Sequence, residues 1–151
     1  MIPAPFYIRH AVPQDISAMA NLLNELFAIE TDFHSDIAKQ QRGLQMLMDS
    51  RNAALFVAES NANVIGMCSL QILISTAQGS KVGLIEDVIV TKEWRGKRVG
   101  RELLEAANSW GRTRGLTRLQ LLADKTNQRA LNFYQKVDWK TTQLMALRVL
   151  L

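Results

Sequence analysis

A short stretch rich in arginine, lysine and glycine contains the residues best suited to bind an anion. Arg95-Gly96-Lys97-Arg98-Val99-Gly100 lies between the predicted end of an apolar strand and the predicted first turn of a helix. The first turn of a helix has backbone N–H groups without intrahelical partners and a partial positive charge, and glycines let a ligand approach the backbone. The pattern therefore predicts a phosphate-binding loop. It is neither a Walker A nor a G-x-G-x-x-G fingerprint, because no Lys-Ser/Thr follows the last glycine and the glycine spacing differs.

The basic residues are concentrated in the same part of the chain. Residues 1–91 contain 5 basic and 9 acidic side chains, whereas residues 92–151 contain 13 and 5. Charge alone is compatible with a nucleic acid, a membrane surface, a phosphorylated cofactor or a solvated helix face. A nucleic-acid-binding domain would spread its basic residues over an accessible face with exposed aromatics, and these residues gather about one predicted helix start. We therefore expect no nucleic-acid partner.

Two further groups could take part in proton transfer. Glu86 and Asp87 lie in an otherwise apolar predicted strand, whose alternation places Val82, Leu84, Glu86, Val88 and Val90 on one face and Ile85, Asp87 and Ile89 on the other. In a helix, Asn127 and Tyr134 are seven residues apart, so an amide and a phenol share one face about 10 Å apart. By themselves, these residues could equally pair with an arginine or belong to the core.

The elements that must position these residues fit one domain. The chain has 151 residues, 48% of them hydrophobic and 21% charged, which is typical of a single globular domain over residues 1–151. Periodicity, turn signals and caps at Asp15 and at Ser35 or Asp36 place the elements. The predicted strands are 7–9, 55–60, 64–75, 82–91, 118–123 and 144–151, and the predicted helices begin at Ile16 and span about 36–48, 98–114 and 128–136.

The order of these elements predicts a mixed α/β fold. Strand 82–91, helix 98–114 and strand 118–123 form a βαβ unit, so those two strands should be parallel. The 55–60 and 64–75 strands should form an antiparallel hairpin across Asn61-Ala62-Asn63. The fold class is therefore α/β in the α+β mixed sense, with helices covering both faces of the sheet.

Neither a signal peptide nor a stretch long enough to cross a bilayer is evident, so we expect a cytoplasmic protein without a membrane partner. Cys68, His10 and His34 provide no cluster with metal-ligand spacing, and no metal is expected.

The chain resembles the GNAT superfamily of acetyl-CoA-dependent N-acetyltransferases. Its IEDVIV at 85–90 and WRGKRVGRELL at 94–104 resemble the family's acetyl-CoA strand and pyrophosphate loop, usually Arg/Gln-x-x-Gly-x-Gly/Ala. Its NQRALNFYQK at 127–136 resembles the motif that follows. Arg98 stands where the loop usually has glycine, and Asp138 stands where glycine usually precedes the final aromatic, here Trp139. We predict that residue 98 is already helical, so that Arg98 only adds a cation without backbone strain.

The resemblance implies a GNAT-like, mostly antiparallel sheet whose central parallel strand pair splays to hold acetyl-CoA. The pantetheine arm would pair with that strand, and the pyrophosphate would meet the N–H groups of the loop. By resemblance, the cofactor-binding residues are Val88, Ile89, Val90, Arg95, Gly96, Lys97, Arg98, Val99, Gly100, Arg101 and Asn127.

The implied reaction is direct attack of a primary amine on acetyl-CoA in a ternary complex. Tyr134 would protonate the departing thiolate as general acid. Glu86 is the first candidate for the base, with a pKa raised by its apolar strand; Asp87 is the second, and either could act through water. The Val88 backbone N–H would polarise the thioester carbonyl.

The amine acceptor, a small molecule or a protein, is not specified by any residue. The acidic stretch Glu30, Asp32, His34 and Asp36 could dock a cationic amine or be a solvated loop. The oligomeric state is left open, although the resemblance implies that the apolar C-terminal strand could pair across a homodimer. The alternatives to the enzyme are a non-catalytic acyl-CoA-binding sensor or interaction module and, behind it, a basic nucleic-acid-binding domain.

Overall fold

The computed structural model describes residues 5–29 and 36–151, which form two compact units, one ending at Gln120 and the other comprising Leu121–Leu151. Two 3₁₀ turns, Pro13–Asp15 and Lys92–Trp94, precede helices α1 and α3. The elements are β1 Tyr7–His10, α1 Ile16–Ile29, α2 Ile37–Asp49, β2 Ala53–Ser60, β3 Asn63–Ser75, β4 Ser80–Val90, α3 Val99–Thr113, β5 Leu119–Leu121 and α4 Gln128–Lys136.

Within the described residues the strands form one five-stranded sheet in the order β1-β2-β3-β4-β5. The pairs from β1 to β4 are antiparallel, and β5 runs parallel to β4, as the βαβ unit predicts. The β2–β3 loop is the two residues Asn61 and Ala62, both with positive φ (49° and 62°), which matches the right-handed twist of a tight hairpin. The predicted fold class is confirmed.

The core lies between the sheet and its helices. On one face, Met19 and Leu23 of α1 and Leu44 of α2 pack with Val57 and Met67. On the other, α3 comes close to the strand at Gly66, where an added Cβ would lie 3.2 Å from Leu103 and 3.3 Å from Val99. Because residues 66 and 67 of β3 point to opposite faces, the helices cover both sides of the sheet. Because Gly66 has no side chain, the start of α3 can pack close against the sheet.

One of the predicted helix caps is observed, and another is not. The Asp36 carboxylate accepts the Lys39 backbone N–H at 3.2 Å and caps α2, as predicted. Asp15 does not cap α1: it lies in the 3₁₀ turn, accepts the Val12 N–H at 2.8 Å and forms an ion pair with Arg9 at 2.6 Å. Because the Asp15 carboxylate is paired with the Arg9 guanidinium, it does not cap the helix.

The predicted strand at residues 144–151 is wrong. This segment has no strand hydrogen bonding, and its apolar side chains, such as Leu147 and Val149, are exposed. Alternating apolar residues form a pleated strand only when a neighbouring strand hydrogen-bonds its backbone N–H and C=O groups.

No helix within residues 5–29 and 36–151 is long and apolar enough to cross a lipid bilayer.

Candidate active site

A β-bulge interrupts β4 at the two carboxylates. Across β3 and β4, Leu70 pairs with Ile85 and Cys68 pairs with Val88, so the single residue Ser69 opposes both Glu86 and Asp87. Because Cys68 and Leu70 share one face, Ile85 and Val88 also share it, although they are three residues apart. The uninterrupted alternation predicted for this strand is therefore wrong at the bulge.

The two carboxylates of the bulge have different environments. Glu86 is exposed, whereas Asp87 is only 9% exposed. The Ser69 hydroxyl donates to Asp87 Oδ2 at 3.0 Å and accepts the Asp87 backbone N–H at 3.2 Å. The burial expected of Glu86 is thus found at its neighbour, because the bulge turns Asp87 inward.

The loop after β4 is anchored at its start. The Arg95 Nε donates to the Val90 carbonyl at 3.0 Å, which ties the guanidinium to the end of β4. The ring of Trp94 meets the ring of Phe6 edge to face, with centroids 6.0 Å apart, and the Lys97 ammonium lies 5.3 Å from the Trp94 ring centroid. These contacts hold the loop residues that follow at the N-terminus of α3.

The loop itself turns through two left-handed residues. Gly96 has φ +74° and Arg98 has φ +72°, and the Arg98 carbonyl accepts the Glu102 N–H at 3.0 Å as the N-cap of α3. The prediction that residue 98 is already helical is wrong. An L-residue in this conformation is strained by about 1–2 kcal/mol, so the surrounding structure must hold Arg98 in it.

This turn leaves the start of α3 open to an anion. The Arg98 side chain makes no capping hydrogen bond, so the N–H groups of the first turn, at Val99, Gly100 and Arg101, are not capped by it. Lys97, Arg98 and Arg101 are exposed around them. Partial positive charge, uncapped donors and three cations thus coincide at one helix start, where the sequence predicted a phosphate-binding loop.

The second unit carries the other two predicted site residues. Asn127 is the N-cap of α4, and its Oδ1 accepts the Ala130 N–H at 3.2 Å, which leaves its NH₂ group as the part suited to a ligand. Tyr134 is half-buried, with ring centroids 5.2 Å from Phe133 and 6.2 Å from Trp139. The half-buried residues of α4 include the predicted face Asn127, Ala130, Leu131 and Tyr134.

Among the acidic residues suggested for acceptor docking, Asp36 is exposed and occupied as a helix cap, whereas Glu30, Asp32 and His34 lie outside the described residues. Ser69 is a hydrogen-bond partner of the candidate residue Asp87 that the sequence did not predict. An isolated serine inside a long apolar strand was the available signal, since a hydroxyl buried there must find a hydrogen-bond partner.

A mixed sheet with a bulged fourth strand that leads into an uncapped helix start agrees with the GNAT-like fold that the sequence resemblance implied. The model of the acetyltransferase (GNAT) family matches residues 17–139, and the chain belongs to that family.

The chain is similar to several characterised members of this class. It is 28% identical over 122 residues to an aminoglycoside N(6')-acetyltransferase type 1 from Stenotrophomonas maltophilia, covering 79% of this chain and 76% of the relative. It is 26% identical over 133 residues to an aminoalkylphosphonate N-acetyltransferase from Salmonella typhimurium, covering 88% and 84%. An aminoglycoside N-acetyltransferase solved with CoA shares the fold at a TM-score of 0.85 and 16% identity, covering 99% and 98% of the two chains.

Proposed function

We propose that this protein transfers the acetyl group of acetyl-CoA to a primary amine by direct attack in a ternary complex. The observation that carries the proposal is the start of α3, which follows the left-handed Gly96 and Arg98. Its first-turn N–H groups have no side-chain cap, and Lys97, Arg98 and Arg101 are exposed nearby in the sequence. Coenzyme A carries a diphosphate, and this is the ligand chemistry that such a helix start recognises.

The cofactor would follow β4 into this loop. The backbone hydrogen bonds from Gly83 to Arg118 and from Thr117 to Lys81 set β5 beside the first half of β4. If the same parallel register continues, the three-residue strand β5 ends beside Glu86, whereas β4 continues to Val90. The pantetheine arm would lie beside Val88, Ile89 and Val90, beyond the end of β5. The family resemblance implies that the Asn127 amide also binds the cofactor. The diphosphate would meet the N–H groups from Arg95 to Arg101.

The chemistry needs a neutral amine and a protonated leaving thiol. The amine nitrogen attacks the thioester carbonyl, and the Val88 N–H stabilises the oxyanion that forms. The C–S bond then breaks, and Tyr134 gives its proton to the thiolate. A carboxylate of the β4 bulge accepts the proton of the acceptor ammonium; the family resemblance ranks Glu86 ahead of Asp87.

The names of two relatives support a small-molecule acceptor. The two relatives compared above are named for acetylating aminoglycosides and aminoalkylphosphonates, which are small amines. We assign a small-molecule primary amine to this chain on that similarity. A protein acceptor and a homodimer are the alternatives that the sequence leaves open.

The test combines calorimetry with a thiol-release assay. Acetyl-CoA should bind, and at least one amine in a panel of aminoglycosides, aminoalkylphosphonates, polyamines and amino acids should release free thiol. Binding without release by any amine would instead identify a non-catalytic acyl-CoA sensor. Absence of heat with acetyl-CoA would overturn both functions.

A further inference from the structure

The eight basic residues between positions 92 and 118 lie at both ends of α3. Five of them belong to the loop and the first turn of the helix, whereas Arg112 and Arg114 lie at its end and Arg118 follows it. A helix of 15 residues is about 20 Å long, so these three arginines are remote from the proposed diphosphate site. Cofactor binding at the start of α3 therefore does not account for them.

A small cavity lies between the end of α3 and the segment that leads into β5. Its volume is about 150 Å³, below the roughly 300 Å³ at which small-molecule sites begin, so it accommodates a group of a few atoms rather than a whole cofactor. The least exposed residues of its lining are apolar, and the exposed ones are polar. The first set is Gly111, Leu116 and Leu119, and the second includes Arg112, Thr117 and Arg118. Two guanidinium groups therefore border the open side of a cavity with an apolar inner lining.

Gly111 keeps the inner part of this cavity open. It lies within α3, where glycine is less favourable than alanine, and its φ is not positive. An added Cβ would lie 3.5 Å from Leu116 Cδ1 and 3.6 Å from Leu119 Cδ2, which is ordinary van der Waals contact. Because neither the backbone conformation nor the packing requires glycine here, the missing side chain serves to leave space between the helix and the two leucines.

The guanidinium groups of Arg112 and Arg118 are available to a ligand. Within residues 5–29 and 36–151, no hydrogen bond or ion pair engages the Arg118 side chain. Arg112 lies 3.4 Å from Glu105, but the two side chains are 69% and 64% exposed, and solvent makes such a pair weak. The end of the helix does not need these arginines as caps either, because the carbonyls of Trp110, Gly111 and Arg112 accept backbone N–H groups of residues 114–116.

The segment that carries Arg118 is held in place by β4. The Thr117 N–H donates to the Lys81 carbonyl at 3.1 Å, and the Gly83 N–H donates to the Arg118 carbonyl at 2.8 Å. The Thr117 hydroxyl also lies 2.6 Å from the Ser80 hydroxyl, within hydrogen-bond distance. This side of the cavity is therefore formed before a ligand arrives, so binding orders little of the backbone.

We propose that this cavity binds an oxyanion carried on a small apolar group, either a phosphate monoester or a carboxylate. The guanidinium groups of Arg112 and Arg118 bind the oxyanion, because their fork of N–H donors matches phosphate and carboxylate oxygens. The apolar group contacts Leu116 and Leu119. The site is separate from the proposed acetyl transfer and does not depend on it.

NMR titration of the ¹⁵N-labelled protein with phenyl phosphate, benzoate and benzyl alcohol tests the proposal. The amide signals of Gly111, Thr117 and Arg118 should shift with at least one anion at millimolar concentration and stay in place with the neutral alcohol. Tighter binding of phenyl phosphate would assign a phosphate monoester, and tighter binding of benzoate a carboxylate. Coenzyme A added first should leave these shifts unchanged. Since each amide reports its own surroundings, the result holds whether or not coenzyme A binds at the start of α3.

Substitutions separate a specific site from a positive surface. Arg118→Gln should raise the Kd of the bound anion about tenfold, because a charge-assisted hydrogen bond is lost, and Arg112→Gln provides a second, independent test. Arg114→Gln is the matched control: its guanidinium lies over the Trp110 ring, 4.8 Å from the centroid, and it should change the Kd by about twofold at most. Gly111→Ala should raise Tm, since alanine favours the helix, and yet weaken binding by filling the inner part of the cavity.

Three outcomes would disprove the site. The first is that neither anion shifts the amides of Gly111, Thr117 and Arg118. The second is equal weakening by Arg114→Gln and Arg118→Gln, which would indicate general attraction to a positive surface. The third is benzyl alcohol binding as tightly as the anions, which would leave an apolar cavity without a role for the guanidinium groups.

Discussion

The indole ring of Trp139 lies 6.2 Å from the phenol ring of Tyr134, and the Trp139 backbone N–H donates to the Tyr134 carbonyl at 2.9 Å. With the Asp138 N–H donating to the Gln135 carbonyl at 3.1 Å, these bonds form a Schellman motif whose turning residue, Asp138, has φ +67°. The end of α4 thus places an aromatic ring against the proposed general acid, although the usual glycine is absent.

Replacing Tyr134 by phenylalanine tests that acid. Tyr134→Phe keeps the ring contacts with Phe133 and Trp139, so acetyl-CoA should bind with unchanged Kd. The kcat should fall about 10²-fold or more, because the thiolate loses its proton donor. Tyr7→Phe is the matched control, since Tyr7 is the other tyrosine of the chain and is exposed. Equal kcat for wild type and Tyr134→Phe would remove Tyr134 from the mechanism.

Relieving the strained loop residue should stabilise the protein. Arg98→Gly removes an L-residue from a φ of +72°, and the gain remaining after the extra entropy of the unfolded chain is about 0.5–1 kcal/mol in the free energy of unfolding. Urea unfolding without acetyl-CoA measures it. Arg98→Ala keeps the Cβ and should give no such gain. Ala62→Gly, at φ +62° in the β2–β3 turn, should give a similar gain away from the site. If Arg98→Ala stabilises as much as Arg98→Gly, charge rather than backbone strain is responsible.

An acidic residue in the loop should abolish cofactor binding. Gly96→Asp adds a Cβ at φ +74° and a negative charge beside the proposed diphosphate, so the rise in Tm caused by acetyl-CoA should disappear. The control is Gly79→Asp, at φ +61° in the β3–β4 turn, where an added Cβ likewise meets open space. It should cost similar stability yet retain the acetyl-CoA effect. Loss of that effect in both variants would point to general unfolding instead.

The ion pair at the start of α1 should make stability depend on acidity. The hydrogen bond from Arg9 is the main reason that the pKa of Asp15 is lowered. A carboxyl with a lowered pKa in the folded state adds stability above its unfolded value of about 3.9, and that stability is lost as the pH falls through the folded value. Asp15→Asn should therefore cost about 1–2 kcal/mol at pH 7 and progressively less below pH 4.

Urea titrations at several pH values measure this difference. Glu25→Gln, an exposed carboxylate of α1, is the control and should cost little at any pH. A cost of Asp15→Asn that is constant from pH 7 to pH 3 would show that hydrogen-bond geometry alone, and not charge, is lost.

Much of the fold followed from local patterns. The helical and strand periodicities, the Asp36 cap and the tight turn at Asn61 and Ala62 depend on residues within a few positions of one another, so the sequence predicts them directly. The position of the loop that is proposed to bind the diphosphate also followed, because a strand, glycines and a helix start succeed each other along the chain.

The tertiary structure decided what depends on distant residues. The bulge that pairs Ser69 with Asp87 depends on the register between β3 and β4. The sequence of β4 alone does not show which residue of β3 lies opposite two residues of β4. Arg98 is left-handed because the chain must turn from the end of β4 into a helix packed on Gly66, and this packing outweighs the preference of an arginine backbone. Residues 144–151 show the converse: their alternating apolar pattern predicts a strand, but strand hydrogen bonds need a partner that a sequence pattern cannot supply.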